Sequence, residues 1–444
     1  MSFEVDEELG TKTGGRPASK GVIPGRYSLS VGMLESRPPE GWQWIPLSKI
    51  ARLESGHTPS RKHPEYWGGK IPWIGIRDAT GNHGTTIYDT QQHTNELGIA
   101  NSSARILPAN TVCLSRTASV GYVVVMGCPM ATSQDFVNWV CSADLDYRFL
   151  KYILVSEHES MLRFSSGTTH QTIYFPEAKA FHVCIPGIEQ QRKISDVLQA
   201  LDDRITVLRE TNATLEAIAQ ALFKSWFVDF DPVRAKMEGR TPEGMDEATA
   251  ALFPDGFEES ALGLVPRGWR VRPLDEIATY LNGLALQKFP PSDDSWLPVI
   301  KIAQLRKGDT VGADRAGRNI KPAYVIQNGD VLFSWSGSLE VEVWCGGEGA
   351  LNQHLFKVSS EIYPKWFYYL WTKHHLEHFR QVAASKATTM GHIQRAHLTQ
   401  ALVVAPPDPA RRRKFESDLK LEKRIGSVFV CVARRSCCFE WRNP

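Results

Sequence analysis

The chain has 444 residues, room for two domains that each bury a core, and 42% hydrophobic with 23% charged residues excludes a disordered or fibrous chain. No apolar run approaches the ~18 residues of a membrane span, and Met1–Gly10 is acidic without an apolar signal core, so no membrane is expected and the cytoplasm is the expected location. The net charge of +2 is unevenly spread: residues 229–267 carry 4 basic and 9 acidic residues, and residues 411–444 carry 10 and 4. The eight cysteines form no CxxC pair, which argues against a zinc ribbon.

In chain order, residues 1–40 are rich in Gly, Pro and charge and read as a loose N-terminal arm. Residues 41–188 form a first module. Its short β-branched or aromatic runs are Val112–Leu114, Tyr122–Met126, Phe136–Val140 and Phe181–Ile185, with a helical stretch near Tyr147–Phe164. That mixture predicts an α+β fold. Residues 189–228 change period. Ile194, Leu201, Leu208, Leu215 and Leu222 recur every seventh position, interleaved with Leu198, Ile205, Asn212, Ala219 and Trp226. These are the d and a positions of a coiled-coil helix on the order of 50 Å long. Asn212 suits either a register-fixing polar position or a solvated break in the seam. Residues 229–267 read as a Pro/Gly/acid linker, residues 268–410 as a second module, and residues 411–444 as a short or truncated second helix.

The second module repeats the first. Gly41-Trp42, Pro46-Leu47, Ile50-Ala51 and Gly56 return 227 positions later as Gly268-Trp269, Pro273-Leu274, Ile277-Ala278 and Gly283. Gln134 matches Gln353 at 219, and Thr168-Thr169 with Ile173 matches Thr388-Thr389 with Ile393 at 220. Leu201–Ile205 is echoed by Leu421–Ile425, after which Gly426, the run Val428–Val432 and Arg434-Arg435 break the heptads. An altered reading frame or a truncation is therefore expected at the C-terminus. A period above 200 residues means two copies of a globular unit, and two similar units suit a ligand with two similar halves, of which duplex DNA is the commonest.

This order of parts closely resembles the specificity (S) subunit of type I restriction-modification systems. The carrying residues are Gly41-Trp42-x-x-x-Pro46-Leu47 with its copy at 268–278, then Gly167-Thr168-Thr169-x-x-x-Ile173, then Ile185-Pro186-x-x-Glu189-Gln190-x-x-x-Ile194 leading into the helix. The resemblance covers roughly 41–228 and 268–425; Pro407-Asp408-Pro409 and Arg411-Arg412 stand where the first copy has Glu189-Gln190. It implies two α/β target-recognition domains in pseudo-twofold arrangement, separated by long coiled-coil helices. Each domain would read half of an interrupted double-stranded DNA target. The helices would dock methyltransferase (M) subunits, which methylate adenine with S-adenosylmethionine, and a restriction/translocation (R) subunit would complete the nuclease. The chain itself would be non-catalytic. Two alternatives are an inactive or truncated S-like interaction protein and a self-contained methyltransferase or nuclease.

Catalytic and cofactor signatures are missing: there is no GxxxxGK[ST], no GxSxG elbow and no Asn/Asp-Pro-Pro-aromatic tetrapeptide. Pro176-Glu177-Ala178-Lys179 matches a nuclease E-x-K pair only superficially. No catalytic residue, metal or cofactor is assigned. DNA-contact candidates are donors in loops: Arg61, Lys62, His63, Arg77, Asn82 and His83, then Thr168, Thr169 and Gln171. In the second module they are Lys301, Gln304, Arg306, Lys307, Arg315 and Arg318, with Thr388 and Thr389. Arg can grip guanine bidentately, Asn or Gln adenine, and Lys or Thr a phosphate. The Gly167-Thr168-Thr169 and Ala387-Thr388-Thr389 turns suit phosphate binding or a fold-holding turn equally. The partner interface is expected at Ile194, Leu198, Leu201, Ile205, Leu208, Leu215 and Leu222. Trp67, Trp73, Trp335 and Trp344 are expected in cores rather than as stacking platforms.

Overall fold

The computed structural model describes residues 21–166, 171–291, 295–385 and 391–407. Two compact units, 1–204 and 205–444, divide within the helix Ile188–Phe227, whose 40 residues contain no Gly or Pro. This is the long helix that the heptads predict.

The first unit is built on two sheets and a small satellite. A four-stranded sheet runs in the order Ile23–Pro24, Leu29–Val31, Phe181–Pro186, Trp42–Pro46. The predicted runs become the strands Val112–Ser115, Val123–Met126 and Phe136–Cys141 of a five-stranded sheet. Beyond it, Ala131–Thr132, Trp67–Ile74 and His93–Thr94 form a three-stranded sheet. The main core packs Leu114, Val125, Trp139, Leu150 and Phe181; a smaller one gathers Ile74, Met126, Met130 and Phe136.

The arm is not loose from residue 23 onward. Leu29 and Val31 are core residues, and their burial contributes roughly 1.5–3 kcal/mol each. The predicted helix Tyr147–Phe164 divides at Glu157 into Tyr147–Ser156 and His158–Phe164. Fully buried, Glu157 accepts the backbone N–H groups of Arg26 (2.7 Å), Tyr27 (2.6 Å) and Ser28 (2.9 Å), plus the Ser160 hydroxyl (2.6 Å). A buried carboxylate is tolerated there because its oxygens are filled by donors. The sequence pattern missed this anchor because its partners are backbone groups.

In the second unit, Arg270–Pro273 pairs with Leu402–Ala405 as Trp42–Pro46 pairs with Phe181–Pro186. A four-stranded sheet follows in the order Thr279–Asn282, Leu355–Ser359, Val331–Ser334, Val341–Val343. Another places Arg315–Gly317, Trp296–Ile300, Gly349–Leu351 and Val325–Ile326 side by side. The expected linker is also structured: Asp231–Met237 and Glu247–Ala250 are helical, and Phe257–Ser260 pairs with Gly263–Pro266. Phe230, Val233, Phe253 and Val265 join Trp269 and Phe367 in one core, which explains why so acidic a segment is ordered.

Both units hold part of the long helix. In the first, Lys151 Nζ lies 3.3 Å from Asp202, and Arg148 Nη1 lies 2.7 Å from Asp196. In the second, Glu216 accepts from Tyr369 Oη (2.9 Å) and is ion-paired with Lys373. Burial alone would raise the Glu216 carboxyl, but the Lys373 ammonium and these hydrogen bonds hold it below the usual range. The ends of the expected partner interface are partly taken: Ile194 packs on the first core, and Leu222 on the second. Leu198, Ile205, Leu208 and Leu215 are half-buried and Leu201 is 43% exposed, so the stretch neither core takes runs from Leu198 to Leu215. The C-terminal break in the heptads lies outside the described residues.

Candidate nucleic-acid interface

One local frame is built twice. Strand Val112–Ser115 ends on Ser115, whose Oγ donates to Ser119 O (2.5 Å) and accepts from Tyr122 N (2.8 Å). Strand Val331–Ser334 ends on Ser334, whose Oγ donates to Ser338 O (2.6 Å) and accepts from Glu340 N (2.7 Å). Each serine closes the turn between two strands, and the next residue emerges at the sheet end: Arg116 in one, Trp335 in the other.

That residue is pinned on both sides. Arg116 N donates to Asp135 O (2.7 Å) and Arg116 O accepts from Ile173 N (2.8 Å); Trp335 pairs likewise with His354 O (3.3 Å) and Ile393 N (3.0 Å). A glycine permits the close crossing beside it. A Cβ on Gly56 would lie 1.9 Å from Ser133 O, and one on Gly283 would lie 2.1 Å from Asn352 O. This accounts for the two glycines 227 positions apart.

The displayed chemistry differs. In the first module Arg116 Nε donates to Gln134 O (3.1 Å), Thr58 Oγ1 bonds the Gln134 side chain, and Thr117 Oγ1 meets Thr172 Oγ1 at 2.9 Å. Burial lowers the Arg116 pKa, opposed by Asp135 and Tyr174, and a guanidinium stays charged at any physiological pH. The result is a half-buried fixed cation among hydroxyl and amide groups. In the second module Trp335 Nε1 donates to Asn282 Oδ1 (2.9 Å) and Gln353 O (3.2 Å). Its ring lies 5.7 Å from His354 and 6.3 Å from His392, and Ser336 Oγ meets His354 Nδ1 at 2.9 Å. Trp335 is thus half-exposed at this edge while it packs against the second module's core.

Of the sequence candidates, Arg61 lies close to this frame: it packs against Trp73, whose Nε1 donates to His57 O (3.1 Å), and His57 N donates to Thr132 O (2.9 Å). Gln171 is exposed beside Thr172. Lys62 is exposed, while His63 pairs with Glu65 (2.9 Å) and stacks on Tyr66. Arg77 is exposed on the helix Ile76–Gly81, and Asn82 Nδ2 donates to Asp78 O (2.8 Å) at its end. His83 is spent structurally: Nδ1 accepts from Val123 N (3.0 Å), the ring packs on Tyr122 and His158, and burial, then His158, lowers its pKa.

In the second module Lys301 is ion-paired with Asp314, and Arg318 with Glu348 at 2.6 Å. Arg306 reaches Glu340 at 4.0 Å, Lys307 is exposed, and Arg315 lies over Trp296. Gln304 requires correction: it is 6% exposed and its Oε1 accepts from Lys301 N (3.3 Å), so it caps its own helix as Asp78 does through Gly75 N (2.9 Å). Thr168, Thr169, Thr388 and Thr389 lie outside the described residues. Arg116, Trp335, His354 and His392 were not among the candidates. The matched Gln134 and Gln353 were the signal that could have found them.

Residues 39–217 and 266–414 each match the family described as type I restriction modification DNA specificity domain. The chain belongs to this family. It is 26% identical over 391 residues to the type I restriction enzyme MjaIX specificity subunit of Methanocaldococcus jannaschii, covering 85% of this chain and 86% of that one. It is 44% identical over 108 residues, 23% of each chain, to the HindI specificity subunit of Haemophilus influenzae. A solved type I S subunit from M. genitalium aligns over 91% of this chain and 97% of that one, with 14% identity and a TM-score of 0.44. In this specificity subunit the doubled frame falls inside the two matched segments. Among the described residues, no helix is long and apolar enough to cross a membrane, and no cluster of His, Cys, Asp or Glu is placed to hold a metal ion.

Proposed function

We propose that this specificity subunit reads the two halves of an interrupted duplex target, one with each module, and adds no catalysis of its own. The observation that carries the reading is the doubled frame. Equivalent turns are held by equivalent serines and glycines, yet they display Arg116 with Thr58 and Gln134 in one copy and Trp335 with His354 in the other. A scaffold that holds position constant and varies the displayed groups fits a recognition surface better than a catalytic centre.

The Leu198–Leu215 stretch would dock methyltransferase subunits, which would methylate adenine using S-adenosylmethionine, and a restriction/translocation subunit would complete the nuclease. With DNA and these partners, the assembly would act in the cytoplasm. The test is a module exchange in the intact complex. Residues 21–188, with the arm included because its strand Leu29–Val31 pairs with Phe181–Pro186, are replaced by those of a related subunit. Sequencing of methylated sites should show one half of the target changed and the other kept. Both halves changed, or neither, would refute the reading.

A further inference from the structure

We propose that Arg61, held over the Trp67 ring, reads a guanine in one half-site, and that Arg315 over Trp296 does so in the other. This assignment rests on the DNA-recognition reading above and names its specificity residues.

Arg61 Cζ lies 4.6 Å from the ring centre of Trp67 and 5.3 Å from that of Trp73. The two indoles meet edge to face at 5.1 Å, and Trp73, 4% exposed, is fixed by its bond to His57 O. The shelf is therefore rigid at its base. Gln92 Oε1 accepts from Arg61 Nη2 at 2.9 Å, which sets the guanidinium's rotation and uses one of its five N–H groups. Arg61 has no acidic partner among the described residues, and it faces an open cleft of about 410 Å³ shared with Gln92 and His93. A bulge puts Trp67 there. The pairing with His93–Thr94 shifts register between Trp67 and Ile71, Gly68 has φ +77°, and a Cβ on Gly69 would lie 2.5 Å from Asn95 Cβ. Bulges re-aim side chains, and glycines allow them.

The second module makes the same pair by another route. Trp296 begins the strand Trp296–Ile300, and Arg315 Cζ lies 4.3 Å from its ring. Arg315 sits opposite Pro298; in the first module the position opposite Pro72 is His93, not Arg61. The two arginines thus reach a tryptophan at the start of corresponding strands from different segments. An exposed arginine normally samples many rotamers, and stacking on indole removes most of that freedom before binding. What remains presented is a planar fork of N–H donors, whose matching acceptor pair on a base edge is guanine O6 and N7. A phosphate needs charge but no such fixed plane.

The test uses the complex of the full chain with its methyltransferase and maps methylated sites on a duplex library randomised in sequence. The wild-type target should contain a guanine in each half. Arg61→Ala should relax one guanine in one half, raising methylation of the other three bases there relative to guanine on the order of 10-fold or more. Arg61→Lys should relax it less than Arg61→Ala, because an ammonium can still donate to guanine O6 and N7 but presents no fixed plane. Arg315→Ala should act on the other half alone. Replacing the assigned guanine by 7-deazaguanine should weaken methylation by wild type and not further by Arg61→Ala. An unchanged target in Arg61→Ala (a phosphate contact), or a wild-type half-site without guanine, would overturn the assignment. A wild-type complex with no defined target would overturn the DNA-recognition reading itself. Both arginines are exposed, so unchanged thermal melting and methyltransferase binding by the variants confirm that the fold is not the cause.

Discussion

The two modules share a frame and differ in how each is closed. In the first, the arm strands Ile23–Pro24 and Leu29–Val31 complete the sheet, locked by Glu157 at the break between two helices. In the second, the matching break falls at His375, whose Nε2 faces Leu402 O at 3.0 Å, and the segment before the module forms a separate hairpin. One module is anchored by a buried carboxylate taking backbone donors, the other by a neutral imidazole giving to a backbone acceptor. Equivalent positions in a duplicated fold can be satisfied by opposite hydrogen-bond polarity, provided that the neighbouring backbone supplies the complement. The constraint inherited by both copies is satisfaction of buried polar groups, not residue type.

The sharpest way to break this comparison is Glu157→Ala. It leaves three backbone donors of the arm and the Ser160 hydroxyl without their acceptor, so the first module should lose about 4 kcal/mol. In a thermal melt the first unfolding transition should drop while the second stays in place. A single unchanged transition would show that the arm is not part of the first module's stability.

The next effect concerns the helix segment that belongs to neither core. Leu208→Asp places a charge on the half-buried side of Leu198–Leu215 and should weaken methyltransferase binding by roughly 100-fold or more, with both modules still folded. Complex formation at wild-type strength in size-exclusion chromatography would show that the docking face lies elsewhere.

Much of this architecture was legible in the chain, and the parts that were not share a cause. The strands Val112–Ser115, Val123–Met126 and Phe136–Cys141 follow their β-branched runs, and the helix Ile188–Phe227 follows its heptads, because apolar periodicity records which face is buried. The arm and the acidic linker were misread because their order comes from long-range partners: Glu157 for the arm, and Trp269 with Phe367 around Phe230 and Phe253 for the linker. The candidate site was legible only in part, for the same reason. Donor-rich loops drew attention to His83 and Gln304, which serve their own backbone, whereas Arg116 and Trp335 stand next to apolar strands and look like core from sequence. What marked them was the spacing of Gln134 and Gln353, a relation between copies rather than a local motif.

A smaller effect separates the two closures by pH. Burial, with His374 adding to it, lowers the His375 pKa from 6.5 to about 4, so the folded second module holds this imidazole neutral. Between about pH 6.5 and 4 the unfolded chain binds a proton that the folded module refuses. The stability from His375 is therefore full above pH 6.5 and is lost as pH falls toward 4, on the order of 2 kcal/mol after allowing for its partial exposure. His375→Gln, which keeps a donor for Leu402 O, should flatten this dependence in the second transition and leave the first unaltered. A slope that persists in the variant would assign the titration to another group.

The smallest expected effect tests whether the two displayed surfaces differ in the way they meet DNA. Arg116 is a fixed cation at the sheet end; Trp335, at the same place in the frame, carries no charge and is surrounded by imidazoles. If Arg116 neutralises a phosphate, Arg116→Gln should lower the slope of log affinity against log salt by about 0.9 and weaken binding by about 1 kcal/mol at low salt. Trp335→Ala should weaken binding without changing the slope, because a ring releases no counterion. The measurement is a titration of the mapped target by the methyltransferase complex at several salt concentrations. An unchanged slope in Arg116→Gln would mean that the guanidinium serves only to hold Gln134 O, and the two modules would then display surfaces of the same uncharged kind.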